Sequence, residues 1–145
     1  MTLKIKKMND NAILPTRGDT EAAGIDLYAC IPHTFEIAPG SSVLIGTGIA
    51  CEFPEGYFGA VVVRSSIGIK RHLALSNQVG VIDNSYRNEI LVSLTNMGDI
   101  YETISPNERI AQMILLPYVK FDITETYELS ETERGMGGIG STGRF

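Results

Sequence analysis

The chain has no tryptophan, only two cysteines and two histidines, and it is short of positive charge. Twelve Lys and Arg face 17 Asp and Glu over 145 residues, a formal charge of −5. Non-specific nucleic-acid binding draws its affinity from basic side chains that neutralise phosphates, so this balance argues against a polynucleotide partner. Cys30 and Cys51 form no CxxC pair and have no histidines at ligand spacing, which excludes a sequence-encoded zinc site or disulfide framework. They read as small buried apolar residues in a reducing compartment. No apolar run approaches the roughly 18 residues of a membrane span, and the stretch from Ile114 to Val119 is interrupted by Pro117. The opening MTLKIKKMND carries charge without a following apolar segment, so a cytoplasmic protein with no membrane contact is expected.

What is present is turn chemistry and short apolar segments. Fifteen glycines, six prolines and a 43% hydrophobic content suit one turn-rich domain, and oligomerisation would add to a core of this size. Period-two or short apolar patterns at Leu3–Lys6, Ser42–Ile45, Tyr57–Val63, Glu89–Leu94 and Arg109–Leu115 predict strands. Breakers such as Pro15-Thr16-Arg17-Gly18, Ala38-Pro39-Gly40 and Phe53-Pro54-Glu55-Gly56 separate them, and an all-β sandwich or barrel follows. Only Arg64–Arg71 has the pattern of a short helix, with Ser65 or Ser66 as its N-cap. Residues 1–132 form the expected β domain. Residues 133–145 form a Gly-rich arm whose glycines make it mobile unless something orders it.

Several clusters carry candidate chemistry. Arg64-Ser65-Ser66 puts a charged fork and two hydroxyls where a buried strand ends and a helix begins, a place suited either to phosphate oxygens or to an ordinary exposed turn. Gly80-Val81-Ile82-Asp83-Asn84-Ser85-Tyr86 reads as a hairpin with Asp83 at its rim, acting either as a general base towards water or as the acceptor of an Asx turn. Alternation in Arg109-Ile110-Ala111-Gln112 assigns Arg109 and Ala111 to one face and Ile110 and Gln112 to the other, where a buried Gln112 needs a partner. In the arm, Gly backbones with Arg134, Ser141 and Thr142 match an anion-cradling flap, and a disordered tail is the plain alternative.

In order along the chain, AAGIDLYA (Ala22 to Ala29), RSSIG (Arg64 to Gly68), GVIDNSYRNE (Gly80 to Glu89), ERIAQMIL (Glu108 to Leu115) and RGMGGIGSTG (Arg134 to Gly143) resemble the five motifs of the trimeric dUTPase family, across essentially the whole chain. The resemblance implies a distorted jelly-roll domain and a homotrimer with sites between subunits. It also implies a C-terminal arm over a neighbour's site, and Mg²⁺-assisted hydrolysis of dUTP to dUMP and pyrophosphate, which limits uracil in DNA and supplies dUMP for dTMP synthesis. By the same resemblance, Asp83 activates the attacking water at the α-phosphate, Tyr86 packs under the deoxyribose, and Asn77 pairs with uracil beside the backbone of Gly80, Val81 and Ile82. Arg64, Ser65, Ser66 and Gln112 hold the phosphate chain. Arg134, Gly138, Ile139, Gly140, Ser141 and Thr142 close over it. Asp26 orients waters around a metal that takes no direct protein ligand, since triphosphate oxygens and water satisfy Mg²⁺.

The chain departs from the usual motifs at Val63 and Ser66 where Pro and Gly are common, at Ile25 for Tyr, and at Ser85 and Asn88 for Asp and Gly. Asn88 is the residue type that best replaces Gly in a left-handed turn. Ile139 stands where many arms carry a uracil-stacking Phe, so either another aromatic takes that role, with Tyr86 and Phe145 among the candidates, or the closed complex is weaker. Two alternatives remain at this stage. One is a dCTP deaminase-related enzyme, disfavoured by the GVID Asp, the Tyr and the full arm. The other is a nucleotide-switched regulatory protein on the same scaffold, engaging a protein partner.

Overall fold

Strand pairing in this chain is organised around one long strand, and the architecture is seen in a computed structural model that describes residues 1–139 and 141. Among these are eleven strands: β1 (Lys4–Lys7), β2 (Gly24–Tyr28), β3 (Phe35–Ile37), β4 (Ser42–Gly46), β5 (Ile49–Glu52), β6 (Tyr57–Val63), β7 (Leu73–Leu75), β8 (Gly80–Ile82), β9 (Leu91–Asn96), β10 (Glu102–Ile104) and β11 (Arg109–Pro117). The single helix among the described residues, α1, spans Ser65–Arg71, between β6 and β7. The long strand β11 is flanked by β2 and β6, and β8 closes the sheet in the order β2-β11-β6-β8. A second sheet has the order β4-β9-β7, and two-stranded ribbons pair β1 with β5 and β10 with β3. All named pairings are antiparallel, and the result is the expected all-β fold of jelly-roll type.

The core lies between these layers. Leu27 of β2, Val61 of β6, Met113 of β11, Ile45 of β4, and Val92 and Leu94 of β9 are buried together with Ile49, Ile90, Ile104 and Ile110. Two buried polar side chains are fully matched. The Asn96 amide donates to the carbonyls of Ile37 and Ile100 at 2.9 and 2.7 Å while its oxygen accepts the Gly98 N–H at 2.9 Å, and the Thr47 hydroxyl donates to the Ile90 carbonyl at 2.7 Å. An unmatched polar atom here would cost about 1–3 kcal/mol, so these bonds specify how the β3, β4 and β9 ends dock.

Three local expectations are corrected. The Gly80–Glu89 segment is not a hairpin: β8 pairs with β6, whereas β9 pairs with β4 and β7 in the other sheet. Turn residues made the segment look local, but the strands on either side of it, β8 and β9, pair at long range in different sheets. The helix N-cap is Arg64, in an extended conformation and without a side-chain cap bond, so Ser65 and Ser66 are its first two helical residues. The Arg64 carbonyl accepts the N–H groups of Ile67 and Gly68 at 3.0 and 2.9 Å. Finally, the β11–β2 register shifts between Arg109 and Ala111. This bulge breaks the simple alternation, so Ile110 and Ala111 are both buried while Arg109 is exposed across from Tyr28.

Candidate active site

The bulge assembles the first cluster. Asp26 on β2 lies across from Gln112 on β11, and the shift brings Arg109 to the same face as both. The carboxylate of Asp26, a residue only 8% exposed, is gripped from two sides: Arg64 Nε lies 2.8 Å from one oxygen and Arg109 Nη1 donates to the other at 3.2 Å. Two guanidinium groups on one carboxylate leave a local excess of one positive charge in an acidic chain, which suits an anionic ligand. Gln112 is half-buried and its amide donates to the Val63 carbonyl at 3.3 Å, which supplies the partner its position requires. Gly24 makes room for it, because a Cβ at Gly24 would stand 2.8 Å from Gln112 Oε1. Ser65 is exposed and Ser66 half-buried in the first turn of α1, next to Arg64, where early helical N–H groups have no intrahelical acceptor.

The second cluster stands at the opposite edge of the same sheet. A cavity of about 250 Å³ is lined by Asn77, Gly80, Val81 and Ile82 with Leu75 and Ser93. Gly80 lets β8 lie close to β6 at this wall, since a Cβ there would make a tight contact with Val61 Cβ at 3.2 Å. Val81 also lines a second cavity of about 550 Å³, with Asp83, Phe58 and Tyr118. Asp83 is exposed, and Tyr86, 38% exposed, donates its hydroxyl hydrogen to the Glu89 carbonyl at 2.9 Å.

The Asp83–Glu89 loop is fastened by two side chains that sequence reasoning did not single out. The Asn84 amide nitrogen donates towards the carbonyls of Pro54, Phe53 and Tyr57 at 2.8, 3.1 and 3.2 Å, tying the residue after Asp83 to the turn before β6. Glu89 Oε1 accepts the Gly48 N–H at 2.6 Å, tying the loop's far end to the β4–β5 turn. Asn88 has no positive φ, contrary to the left-handed turn expected there, and instead its oxygen accepts the Glu89 N–H at 2.8 Å. The sequence pattern gives Arg109 a strand face and no partner. The motif letters around it were a signal, but its contact with Asp26 depends on the bulge.

The structure therefore brings together Asp26, Arg64, Ser65, Ser66 and Gln112, and separately Asn77, Gly80, Val81, Ile82, Asp83 and Tyr86. Gln112 lies across from Val62 and Ile82 across from Gly59, so two strand spacings and about four residues of rise put Gln112 and Asp83 on the order of 15 Å apart. In the arm, Arg134 donates to the carbonyls of Gly137 and Gly138 at 3.1 and 3.3 Å, the Ser141 N–H donates to the Gly138 carbonyl, and Ile139 is fully exposed. Among the described residues, these bonds stay within the arm. Gly140, Thr142 and Phe145 lie outside the described residues. No group of three or more His, Cys, Asp or Glu side chains among the described residues is placed to hold a metal ion.

Both cysteines are free thiols. Cys51 is buried as expected, and burial pushes its pKa up to about 11. Cys30 is half-buried rather than buried, and its pKa is raised by partial burial and by the nearby Glu89 carboxylate.

An all-β domain with an arginine-flanked carboxylate at one sheet edge and a tethered aspartate loop at the other has the layout of a nucleotide-handling β enzyme. Comparison with known proteins makes the class specific. The dUTPase family profile matches residues 10–143. A deoxyuridine 5′-triphosphate nucleotidohydrolase of Nautilia profundicola is 45% identical over 99% of this chain and 100% of its own length, and one from a Hydrogenobaculum species is 43% identical over 99% of each. The structure of Staphylococcus bacteriophage 80alpha dUTPase with dUpNHpp superposes with a TM-score of 0.88 at 27% identity, covering 98% of each chain. The chain belongs to the dUTPase family.

Proposed function

We propose that the chain hydrolyses dUTP to dUMP and pyrophosphate by attack of an Asp83-activated water at the α-phosphorus. The observation that carries this reading is the fork of Arg64 and Arg109 about Asp26, beside Gln112 and the Ser65-Ser66 turn. It is a concentrated cation and hydrogen-bond cradle on a protein of net charge −5. Phosphoryl transfer needs mainly positioning and charge neutralisation, which Arg64, Ser65, Ser66 and Gln112 supply to the phosphate chain. Asp83 accepts the proton of the attacking water, Tyr86 packs under the sugar, and Asn77 with the Gly80–Ile82 backbone recognises uracil. The Asp83 base and the aromatic Tyr86 favour this chemistry over dCTP deamination.

An attacking water must lie within hydrogen-bond reach of its base and within about 3–3.5 Å of phosphorus. A gap on the order of 15 Å between Gln112 and Asp83 is too long for one phosphate group to span both. The site is therefore completed by a second copy, in a homotrimer. Val81 and Leu44, both 61% exposed on strands, are apolar surface available for that contact. Residues 133–145 act as the arm that closes over a neighbour's site. There Arg134, Ser141 and Thr142 reach the terminal phosphates, Gly138 and Gly140 let the backbone approach them, and Ile139 covers the base without ring stacking.

Mg²⁺ fits this site as an ion held by the triphosphate and water. Both Asp26 oxygens are already engaged by arginines, so Asp26 is suited to a water-mediated role rather than direct ligation. When bound, the ion neutralises phosphate charge.

Asp83→Asn tests the assignment. Pyrophosphate release from dUTP should vanish while dUpNHpp still binds. Persistent turnover would remove Asp83 from the role of base. Ammonia release from dCTP by the unaltered protein would favour the deaminase reading instead. Truncation after Thr132 should leave a folded trimer with severely reduced turnover, and an unfolded product would make the arm structural.

A further inference from the structure

Arg71, the last residue of α1, commits its whole guanidinium to one stretch of chain. Its Nε donates to Glu102 Oε2 at 2.7 Å, and its two terminal nitrogens donate to Glu108 Oε1 and to the Thr103 carbonyl. The other Glu108 oxygen accepts the Ser105 N–H at 2.9 Å, so this carboxylate is held on both sides. Burial of the guanidinium opposes its charge, but the hydrogen bonds and charges of Glu102 and Glu108 outweigh that and raise its pKa. An exposed ion pair would contribute little, but a planar fork with three fixed acceptors determines geometry.

The helix is thereby fastened at both ends to neighbouring residues. At its start, Arg64 grips Asp26, which Arg109 also holds, and Gln112 bonds the Val63 carbonyl just before Arg64. At its end, Arg71 grips Glu108, the residue immediately before Arg109. Glu108 directly, and Arg109 by way of Asp26, are thus linked to opposite ends of a seven-residue helix, about 10 Å long at 1.5 Å per residue.

From this closed circuit we infer that Arg71 is a positioning residue for the phosphate cradle, setting the separation of Arg64 and Ser65 from Gln112 without touching substrate. The inference deepens the proposed site and rests on its assignment of the phosphate chain to Arg64, Ser65 and Gln112. It assigns to Arg71 an effect that grows with the number of phosphates bound and leaves base and sugar recognition alone.

The test is calorimetric binding of dUMP and dUpNHpp to the full-length protein. Arg71→Met should weaken dUpNHpp about tenfold and change dUMP by less than about twofold, because misplaced phosphate contacts are lost while the Asn77–Tyr86 edge is untouched. Arg71→Lys, which keeps the charge but not the fork, should restore only part of the loss. Arg64→Met is the reference arm and should weaken dUpNHpp at least as much as Arg71→Met. Equal weakening of both ligands by Arg71→Met, or none, with Arg64→Met selective for dUpNHpp, overturns the positioning role alone. A non-selective Arg64→Met overturns the phosphate-site assignment beneath it. Should Arg71→Met not fold, Glu102→Gln keeps the shape and removes one charge. It should weaken dUpNHpp about threefold with dUMP unchanged, and an unchanged ligand ratio there also refutes the inference.

Discussion

Asn84→Asp exchanges one NH₂ for one oxygen and alters almost nothing in size, yet it inverts the polar contacts that fasten the side chain beside Asp83 to the start of β6 and the turn before it. In the native side chain the amide nitrogen has two hydrogens shared among the carbonyls of Pro54, Phe53 and Tyr57, at 2.8, 3.1 and 3.2 Å. At about 1 kcal/mol net per hydrogen bond, Asn84→Ala should cost about 2 kcal/mol and lower the melting temperature by about 4–8 °C for a chain of this length. Asn84→Asp adds repulsion, since a carboxylate oxygen cannot donate and would face three carbonyl oxygens. The loop then moves, and a displacement of about 1 Å at a catalytic group costs on the order of 100-fold in rate. The assay is kcat for pyrophosphate release from dUTP, read beside a thermal melt. The expected order is unaltered protein, then Asn84→Ala down about tenfold, then Asn84→Asp down about 100-fold. Wild-type kcat in Asn84→Asp despite a lowered melting temperature would show that Asp83 is held by something other than this anchor.

Further outcomes follow from single contacts. Gly24→Ala should push the Gln112 amide off its position, because the new Cβ would meet Gln112 Oε1 at 2.8 Å. A drop of about tenfold in kcat/KM with little change in stability is expected, and unchanged kinetics would argue that Gln112 does not bind substrate. His72 caps α1 in the left-handed region, with φ of 53°, where a side chain is strained. His72→Gly should therefore stabilise the fold by up to about 1 kcal/mol, measurable in urea, and destabilisation would show that the imidazole makes a compensating contact. The Cys51 thiol has an ordinary pKa of 9.0 when unfolded and about 11 when buried. The unfolded chain therefore loses this proton first, so stability from the neutral thiol is complete below pH 9 and is lost as pH rises towards 11. Cys51→Val should flatten that part of the melting-temperature profile, and an unchanged slope would assign it to other groups.

Much of the site was legible as chemistry before it was visible as geometry. Asp26, Arg64 and Gln112 do meet, and Asn77, Gly80, Val81 and Ile82 do line one cavity. The anchors were not legible. Asn84 looked like a turn residue because its three carbonyl partners lie 27 to 31 positions earlier. Arg71 looked like an ordinary basic residue at a helix end, because Glu102 and Glu108 are 31 and 37 positions away.

The sequence by itself determined the all-β class, the single short helix after Val63 and the residue types that can cradle a triphosphate, because these depend on local periodicity, on Gly and Pro, and on side-chain chemistry. Tertiary structure decided which face Arg109 occupies, that β8 leaves β9 for β6, and that Gln112 on the inner strand β11 stands two strands away from Asp83 at the end of edge strand β8. Those outcomes depend on a bulge and on long-range strand pairing. A one-residue shift in register reverses every side chain beyond it, and period-two alternation read along one strand carries no record of where its partner slips.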